Sequence, residues 1–198
     1  ISLSVYCQKN IIKPTEYFGF KPGTDRMLFD YESLISYLKQ LEKSSSRLRM
    51  EEIGSSFMGK PMYLAFFSHP ENIERLDQLR KINRELTLNP DLTEKQLSEF
   101  IAEGKVFFVA TLSMHASEVG PSQSAPLIAH KLVTTRNPDT LSWLEDVVYM
   151  MVPCHNPDGM DLIVNHYKKY KGTRYEGSLL PRAYNKYVDH DNNRDFLS

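Results

Sequence analysis

The sequence predicts an α/β fold built on a mixed β-sheet with helices on both faces. Two nearly unbroken apolar runs, Lys105–Leu112 and Val147–Val152, have the length and character of strands that are covered on both faces. Amphipathic helical segments alternate with the strands, which is typical of α/β domains. An earlier pair of runs, Arg47–Ile53 and Met62–Phe67, flanks a glycine-containing turn and predicts an antiparallel hairpin. We therefore expect a mixed sheet in which the two apolar runs are adjacent central strands.

The helices follow from apolar spacing and from residues suited to begin a helix. Asp30 is a candidate N-cap for a helix from Tyr31 to about Lys43. Thr93 opens another helix, with Gln96 in the capping-box position. Residues 1–28 contain prolines, glycines and aromatics and are expected to form an irregular lead-in, with residues 29–198 forming the domain. Two further helices are predicted at Glu71–Leu86 and Pro121–Val133.

Composition excludes several classes of protein. The chain has 198 residues, 41% of them hydrophobic and 25% charged, as in ordinary globular proteins. The net charge of −1 gives no electrostatic footprint for a nucleic acid or for an anionic membrane. No apolar run approaches the roughly 20 residues of a membrane span. Cys7 and Cys154 are too few for a disulfide framework.

A candidate metal site follows the first apolar run. His115 and Glu118 stand three residues apart in the segment Ser113–Glu118, where loops beyond strand ends collect function. An imidazole and a carboxylate at this spacing can both turn toward one zinc ion, and two histidines with one glutamate form a known catalytic set. The alternative interpretation is a surface histidine beside a solvated glutamate.

Two other polar segments are candidates for function. Asn156–Gly159 (NPDG) follows the second apolar run and has the composition of a tight turn, although His155 and Asp158 form a competing HxxD metal pair. Near the end of the chain, Asn193 and Arg194 could bind a carboxylate through the arginine fork and an amide donor. A surface salt bridge from Arg194 to a neighbouring aspartate is the alternative.

Taken in order along the chain, these motifs resemble those of the zinc metallocarboxypeptidases of the carboxypeptidase A type. Gly54–Met62 also resembles the early hairpin of that family, G-x-S-x-x-G-x-P. The Lys13–Phe20 stretch is similar to the start of large secreted bacterial members. The resemblance extends from about residue 13 to residue 196, and its strength lies in four motifs that occur in the expected order.

The resemblance implies roles for individual residues. His115 and Glu118 match the first two zinc ligands, and Asn193 with Arg194 matches the pair that binds the terminal carboxylate of the substrate. The position of the arginine that polarises the scissile carbonyl falls closest to Lys168, with Arg174 as the alternative. The third zinc ligand, the general-base glutamate and a substrate-capping tyrosine are expected beyond Ser198. The chain is therefore expected to be an incomplete and inactive part of the catalytic domain.

The implied activity is hydrolysis of C-terminal peptide bonds with Zn²⁺ as cofactor. The implied partners are peptide or protein C-termini, with no nucleic acid and no membrane span, and the implied location is secreted or periplasmic. Two other functions stay open. One is a non-catalytic scaffold or binding domain that retains carboxylate recognition. The other is a zinc-dependent aminoacylase or deacylase, since such enzymes share the core and its HxxE.

Overall fold

The structure is a computed structural model that describes residues 11–180. Asn193 and Arg194 therefore lie outside the described residues. Between residues 11 and 180 the chain forms eight helices and four strands. In chain order these are α1 Pro14–Phe18, α2 Tyr31–Ser44, β1 Leu48–Ser55, β2 Pro61–Phe67, α3 Pro70–Glu74, α4 Leu76–Leu88, α5 Glu94–Glu103, β3 Val106–Thr111, α6 Val119–Thr134, α7 Pro138–Asp146, β4 Val147–Val152 and α8 Pro157–Tyr170.

The four strands form one mixed sheet in the order β1-β2-β4-β3. The predicted hairpin is confirmed, because β1 and β2 pair antiparallel with an irregularity between Glu52 and Gly54. Strand β4 pairs antiparallel with β2 and parallel with β3. The parallel pairing brings the carboxyl ends of β3 and β4 to the same edge of the sheet.

Both faces of the sheet carry apolar cores, as predicted. Alternate residues of β2 pack into the cores on opposite faces of the sheet, because successive side chains of a strand point to opposite faces. Ala65 and Phe67 belong to the larger cluster, which also takes in α2, α6 and α8. Phe66 belongs to the smaller cluster with Leu76 and Leu79 of α4. The prediction of helices on both faces is therefore confirmed.

The prediction that β3 is a central, doubly covered strand is wrong for the described part of the chain. It lies beside β4 as expected, but no strand between residues 11 and 180 pairs with its other edge. Val106, Phe108 and Val109 are 64%, 57% and 54% exposed. The apolar pattern predicts that the strand is buried by other parts of a protein. It does not specify which residues pack against it. By contrast, β4 is central, as predicted.

The two predicted N-terminal helix caps are confirmed, whereas the extent of some helices differs from the prediction. The Asp30 carboxylate accepts from Ser33 N, and Thr93 with Gln96 forms the predicted capping box. The predicted helix Glu71–Leu86 is divided into α3 and α4. The lead-in is less irregular than predicted, because Pro14 opens the short helix α1. None of the helices described in residues 11–180 is long and apolar enough to cross a membrane.

Candidate metal centre

The segment that carries His115 and Glu118 is the loop from Leu112 to Glu118, here called the HxxE loop. It leaves β3 and is tied by backbone hydrogen bonds to the chain that leaves β4. Leu112 N donates to Val152 O at 3.0 Å, and His155 N donates to Leu112 O at 2.7 Å. The two strand ends therefore continue as a paired unit into the predicted site.

Ser113 fixes the shape of the HxxE loop. It is buried and has a φ of 52°, a left-handed conformation that is uncommon for a residue other than glycine. Its hydroxyl donates to Glu118 O at 2.5 Å and accepts from Ser122 N at 3.0 Å. The side chain thus closes the loop onto the first turn of α6. This role could not be predicted from the sequence, because serine is not a usual residue at positive φ.

His115 and Glu118 are brought together in this loop. His115 Nδ1 lies 2.9 Å from Glu118 Oε1, and His115 N donates to Glu118 Oε2 at 3.3 Å. The His115 side chain is 19% exposed and that of Glu118 is 53% exposed, so a ligand can reach the pair from solvent.

This pair fits part of a zinc site. Imidazole nitrogen and carboxylate oxygen are both zinc ligands, and two tetrahedral ligands at about 2.0–2.1 Å from the metal lie about 3.3 Å apart. The separation of 2.9 Å between the two side-chain atoms requires only a small adjustment. Within residues 11–180 there is no group of three or more metal-ligating side chains. A catalytic zinc ion usually has three protein ligands, and the roles of His115 and Glu118 as two of them stay predictions.

The interpretation of NPDG as a turn is wrong, since these residues begin α8. Asn156 is the N-cap, and its side-chain oxygen accepts from Gly159 N at 2.8 Å. Pro157 occupies the first helical position, where its missing N–H has no intrahelical partner to lose. The prediction that these side chains bond to backbone groups is correct. The backbone groups, however, belong to the start of a helix and to the hairpin, and not to a turn.

Asp158 is engaged by the β1–β2 hairpin. It is 5% exposed, and its carboxylate accepts from Ser56 Oγ at 2.7 Å and from Met58 N at 2.9 Å. These bonds join the G-x-S-x-x-G segment to the start of α8 across about 100 residues of sequence. They also assign Asp158 to the hairpin rather than to a metal site with His155.

Gly159 allows α8 to pack on the HxxE loop. A Cβ atom at this position would lie 2.6 Å from Ala116 Cβ and 2.9 Å from Ala116 Cα. Carbon atoms in ordinary contact are about 3.5–4.0 Å apart. A side chain at residue 159 would therefore push against the backbone between His115 and Glu118.

The two candidate cations lie toward the other end of α8. Lys168 is about 13–14 Å further along the helix axis than Gly159, at 1.5 Å per residue. Its Nζ is 3.4 Å from Asp30 Oδ2, at the N-cap of α2. The Arg174 guanidinium lies over the Tyr175 ring, 4.7 Å from its centroid. The catalytic roles of Lys168 and Arg174 stay predictions.

The fold is that of an α/β protein, and the His–Glu pair at the carboxyl end of a parallel strand is a candidate for part of a metal centre. A family model described as zinc carboxypeptidase matches residues 34–198. The chain therefore belongs to the zinc carboxypeptidase family.

Two solved structures illustrate the similarity. The crystal structure of carboxypeptidase A from Helicoverpa armigera is 16% identical, with a TM-score of 0.47, over 84% of this chain and 36% of that chain. Thrombin activatable fibrinolysis inhibitor is 12% identical, also with a TM-score of 0.47, over 85% of this chain and 32% of that chain. The chain thus spans about a third of each of these proteins. No curated protein matches it.

Proposed function

We propose that this chain forms the first part of the active site of a zinc-dependent metallocarboxypeptidase, which hydrolyses C-terminal peptide bonds. The observation that carries the proposal is the convergence of His115 and Glu118, 2.9 Å apart, within the family match. The substrate would be the C-terminus of a peptide or protein, and the enzyme would be secreted or periplasmic.

In the proposed enzyme, the residues of this chain would have separate roles in metal binding and in substrate binding. His115 and Glu118 would hold the zinc ion on a loop fixed by Ser113. When bound, zinc would polarise the scissile carbonyl and lower the pKa of a coordinated water to about 7. The third ligand and the general-base glutamate would come from outside the described residues.

Substrate binding is assigned to the other residues of the predicted site. Arg194, with Asn193, would hold the terminal carboxylate through two parallel hydrogen bonds and so place the last peptide bond at the metal. Lys168 or Arg174 would stabilise the charge that develops on the carbonyl oxygen. Of these two, only the arginine has a fork that can donate two parallel bonds.

Calorimetric titration with zinc tests the metal site. The full-length protein should bind one zinc ion tightly, and His115→Ala should weaken binding by more than about 100-fold, since losing even an outer-shell partner costs about 10–100-fold. His155→Ala is the matched control and should bind like wild type. The 198-residue chain should bind weakly. Loss of affinity in the His155 variant alone would move the site to the HxxD pair.

Peptides with free and amidated C-termini test the substrate. The full-length enzyme should prefer the free acid, and Arg194→Ala should reduce kcat/KM about 10- to 150-fold, which corresponds to the 1.5–3 kcal/mol of charge-assisted hydrogen bonds. Arg194→Lys should recover part of this loss. Equal cleavage of both peptides would favour a deacylase, and zinc-independent peptide binding without cleavage would favour a scaffold.

A further inference from the structure

Residues 22–30, here called the strap, contain no helix or strand and are held by other parts of the chain. Buried Gln123 of α6 bonds both backbone groups of Phe29, accepting from its N at 3.2 Å and donating to its O at 2.8 Å. At the end of the strap, Asp30 Oδ2 lies 3.4 Å from Lys168 Nζ of α8. The strap therefore contacts both α6 and α8, although it precedes the family match, which begins at residue 34.

Residues 171–178, here called the return turn, follow α8 and fold back beside it. The backbone N–H groups of Thr173, Glu176 and Ser178 each donate to the carbonyl three residues earlier, at 3.0–3.1 Å. His166 Nε2 of α8 lies 3.1 Å from Ser178 O. Every residue of the return turn except Glu176 is exposed. A segment with so little buried surface depends on polar contacts for its order.

The Glu176 carboxylate joins the strap to the return turn. Arg26 Nε and Nη2 donate to its two oxygens at 2.7 and 2.5 Å, across 150 positions of sequence. Tyr167 OH of α8 and Gly172 N of the return turn donate to the same carboxylate at 2.8 and 2.7 Å. We call these four hydrogen bonds the Arg26–Glu176 clasp. The bond from Arg26, followed by those from Gly172 and Tyr167, lowers the pKa of Glu176 to about 2, so the carboxylate is ionised at neutral pH.

The return turn binds the backbone of Arg26 as well as its side chain. Lys171 Nζ donates to Arg26 O at 2.7 Å. Arg26 has a φ of 61°, a left-handed conformation that is uncommon for a residue other than glycine and that persists only where surrounding contacts hold it. An isolated exposed ion pair contributes little to stability, but a bidentate arginine–carboxylate pair within a network is the exception.

We infer that the strap and the return turn open and close as one cooperative unit, and that the Arg26–Glu176 clasp holds this unit closed. Neither segment has secondary structure of its own, and each supplies hydrogen-bond partners to the other. Loss of Arg26 would therefore loosen the return turn, and loss of Glu176 would loosen the strap. The inference goes beyond the proposed function. It makes the turn that carries Arg174 depend on residues that lie outside the family match.

Hydrogen exchange of the full-length protein, followed by mass spectrometry, tests the unit without zinc or substrate. Arg26→Ala should speed amide exchange in the return turn, above all at Gly172, and Glu176→Ala should speed exchange in the strap. We expect about 10- to 150-fold, the range that follows from losing charge-assisted hydrogen bonds. An ordinary exposed ion pair would change exchange by less than about fivefold.

Three controls make the result specific. Arg84→Ala removes an exposed arginine from α4 and should leave exchange in both segments unchanged. Arg26→Lys keeps the charge but lacks the fork, so it should recover only part of the protection. Exchange in the central strand β4 should stay at the wild-type rate in every variant, because only the strap and the return turn open.

The double variant Arg26→Ala/Glu176→Ala tests whether the two side chains act through one contact. Its exchange should be no faster than that of the faster single variant, because both substitutions remove the same clasp. The inference is wrong if Arg26→Ala speeds exchange only within the strap, or if the effects of the two substitutions multiply. Equal acceleration in β4 would also overturn it, since the effect would then be a general loss of stability. None of these outcomes depends on whether the protein hydrolyses peptides.

Discussion

Replacing Gly159 with alanine tests whether α8 packs directly on the HxxE loop. In an exposed helix this change would stabilise the protein by about 0.5–1 kcal/mol. Here the new Cβ would lie 2.6 Å from Ala116 Cβ and 2.7 Å from Asn156 Nδ2, the side chain that caps α8. Overpacking costs about 1–3 kcal/mol, and a disturbed N-cap costs about 1 kcal/mol. We expect a net loss of about 1–3 kcal/mol.

Thermal unfolding provides the measurement. For a chain of this size, 1 kcal/mol shifts Tm by about 2–4 °C, so Gly159→Ala should lower Tm by about 2–12 °C. Gly120→Ala is the matched control, because it also lies in the first turn of a helix but has open space around its Cβ. It should raise Tm slightly.

A double variant distinguishes the clash from a general effect on the helix. Ala116→Gly removes the nearest carbon and should recover part of the loss caused by Gly159→Ala, with a coupling of about 0.5–3 kcal/mol. The reasoning is refuted if Gly159→Ala is as stable as wild type, or if the two substitutions are additive. Zinc affinity should fall together with Tm, because the steric clash would displace the part of the loop between His115 and Glu118.

Two further predictions follow from buried polar groups. Asp158→Ala should destabilise the protein by about 1.5–3 kcal/mol in chemical denaturation, because Ser56 Oγ and Met58 N lose a charged acceptor. The control Asp91→Ala, in an exposed loop, should leave the stability unchanged. Burial raises the pKa of the Cys154 thiol to about 11, so in a Cys7→Ser background it should react with a thiol reagent at pH 8 only as fast as the protein unfolds. Labelling of folded Cys154 within minutes would contradict this.

Much of the fold could be predicted because its elements are locally determined. The Asp30 and Thr93 helix starts and the β1–β2 hairpin depend on residues close together in sequence, and all three are confirmed. The edge position of β3 could not be predicted in the same way. Its apolar residues look the same in sequence whether a neighbouring strand is present or not.

The candidate site was predicted only in part, for a related reason. The spacing of His115 and Glu118 suggested that they converge, and they lie 2.9 Å apart. The Ser113 hydroxyl bonds and the approach of Ala116 to Gly159 depend on three-dimensional packing, which has no signature in a single sequence. NPDG illustrates the limit, because proline and glycine after an asparagine suit both a turn and a capped helix start.

The sequence motifs also form one physical unit. Asp158 of NPDG binds the hairpin segment at Ser56, Gly159 packs on Ala116 inside HxxE, and His155 N bonds the carbonyl of Leu112 at the start of the HxxE loop. A change in one motif would therefore shift the others, and each depends on the others to hold its shape. This mutual contact is a physical reason why the motifs indicate the family together far better than any one of them does alone. These contacts also explain how the loop can hold the two predicted ligands close together although the Glu118 side chain is exposed to solvent.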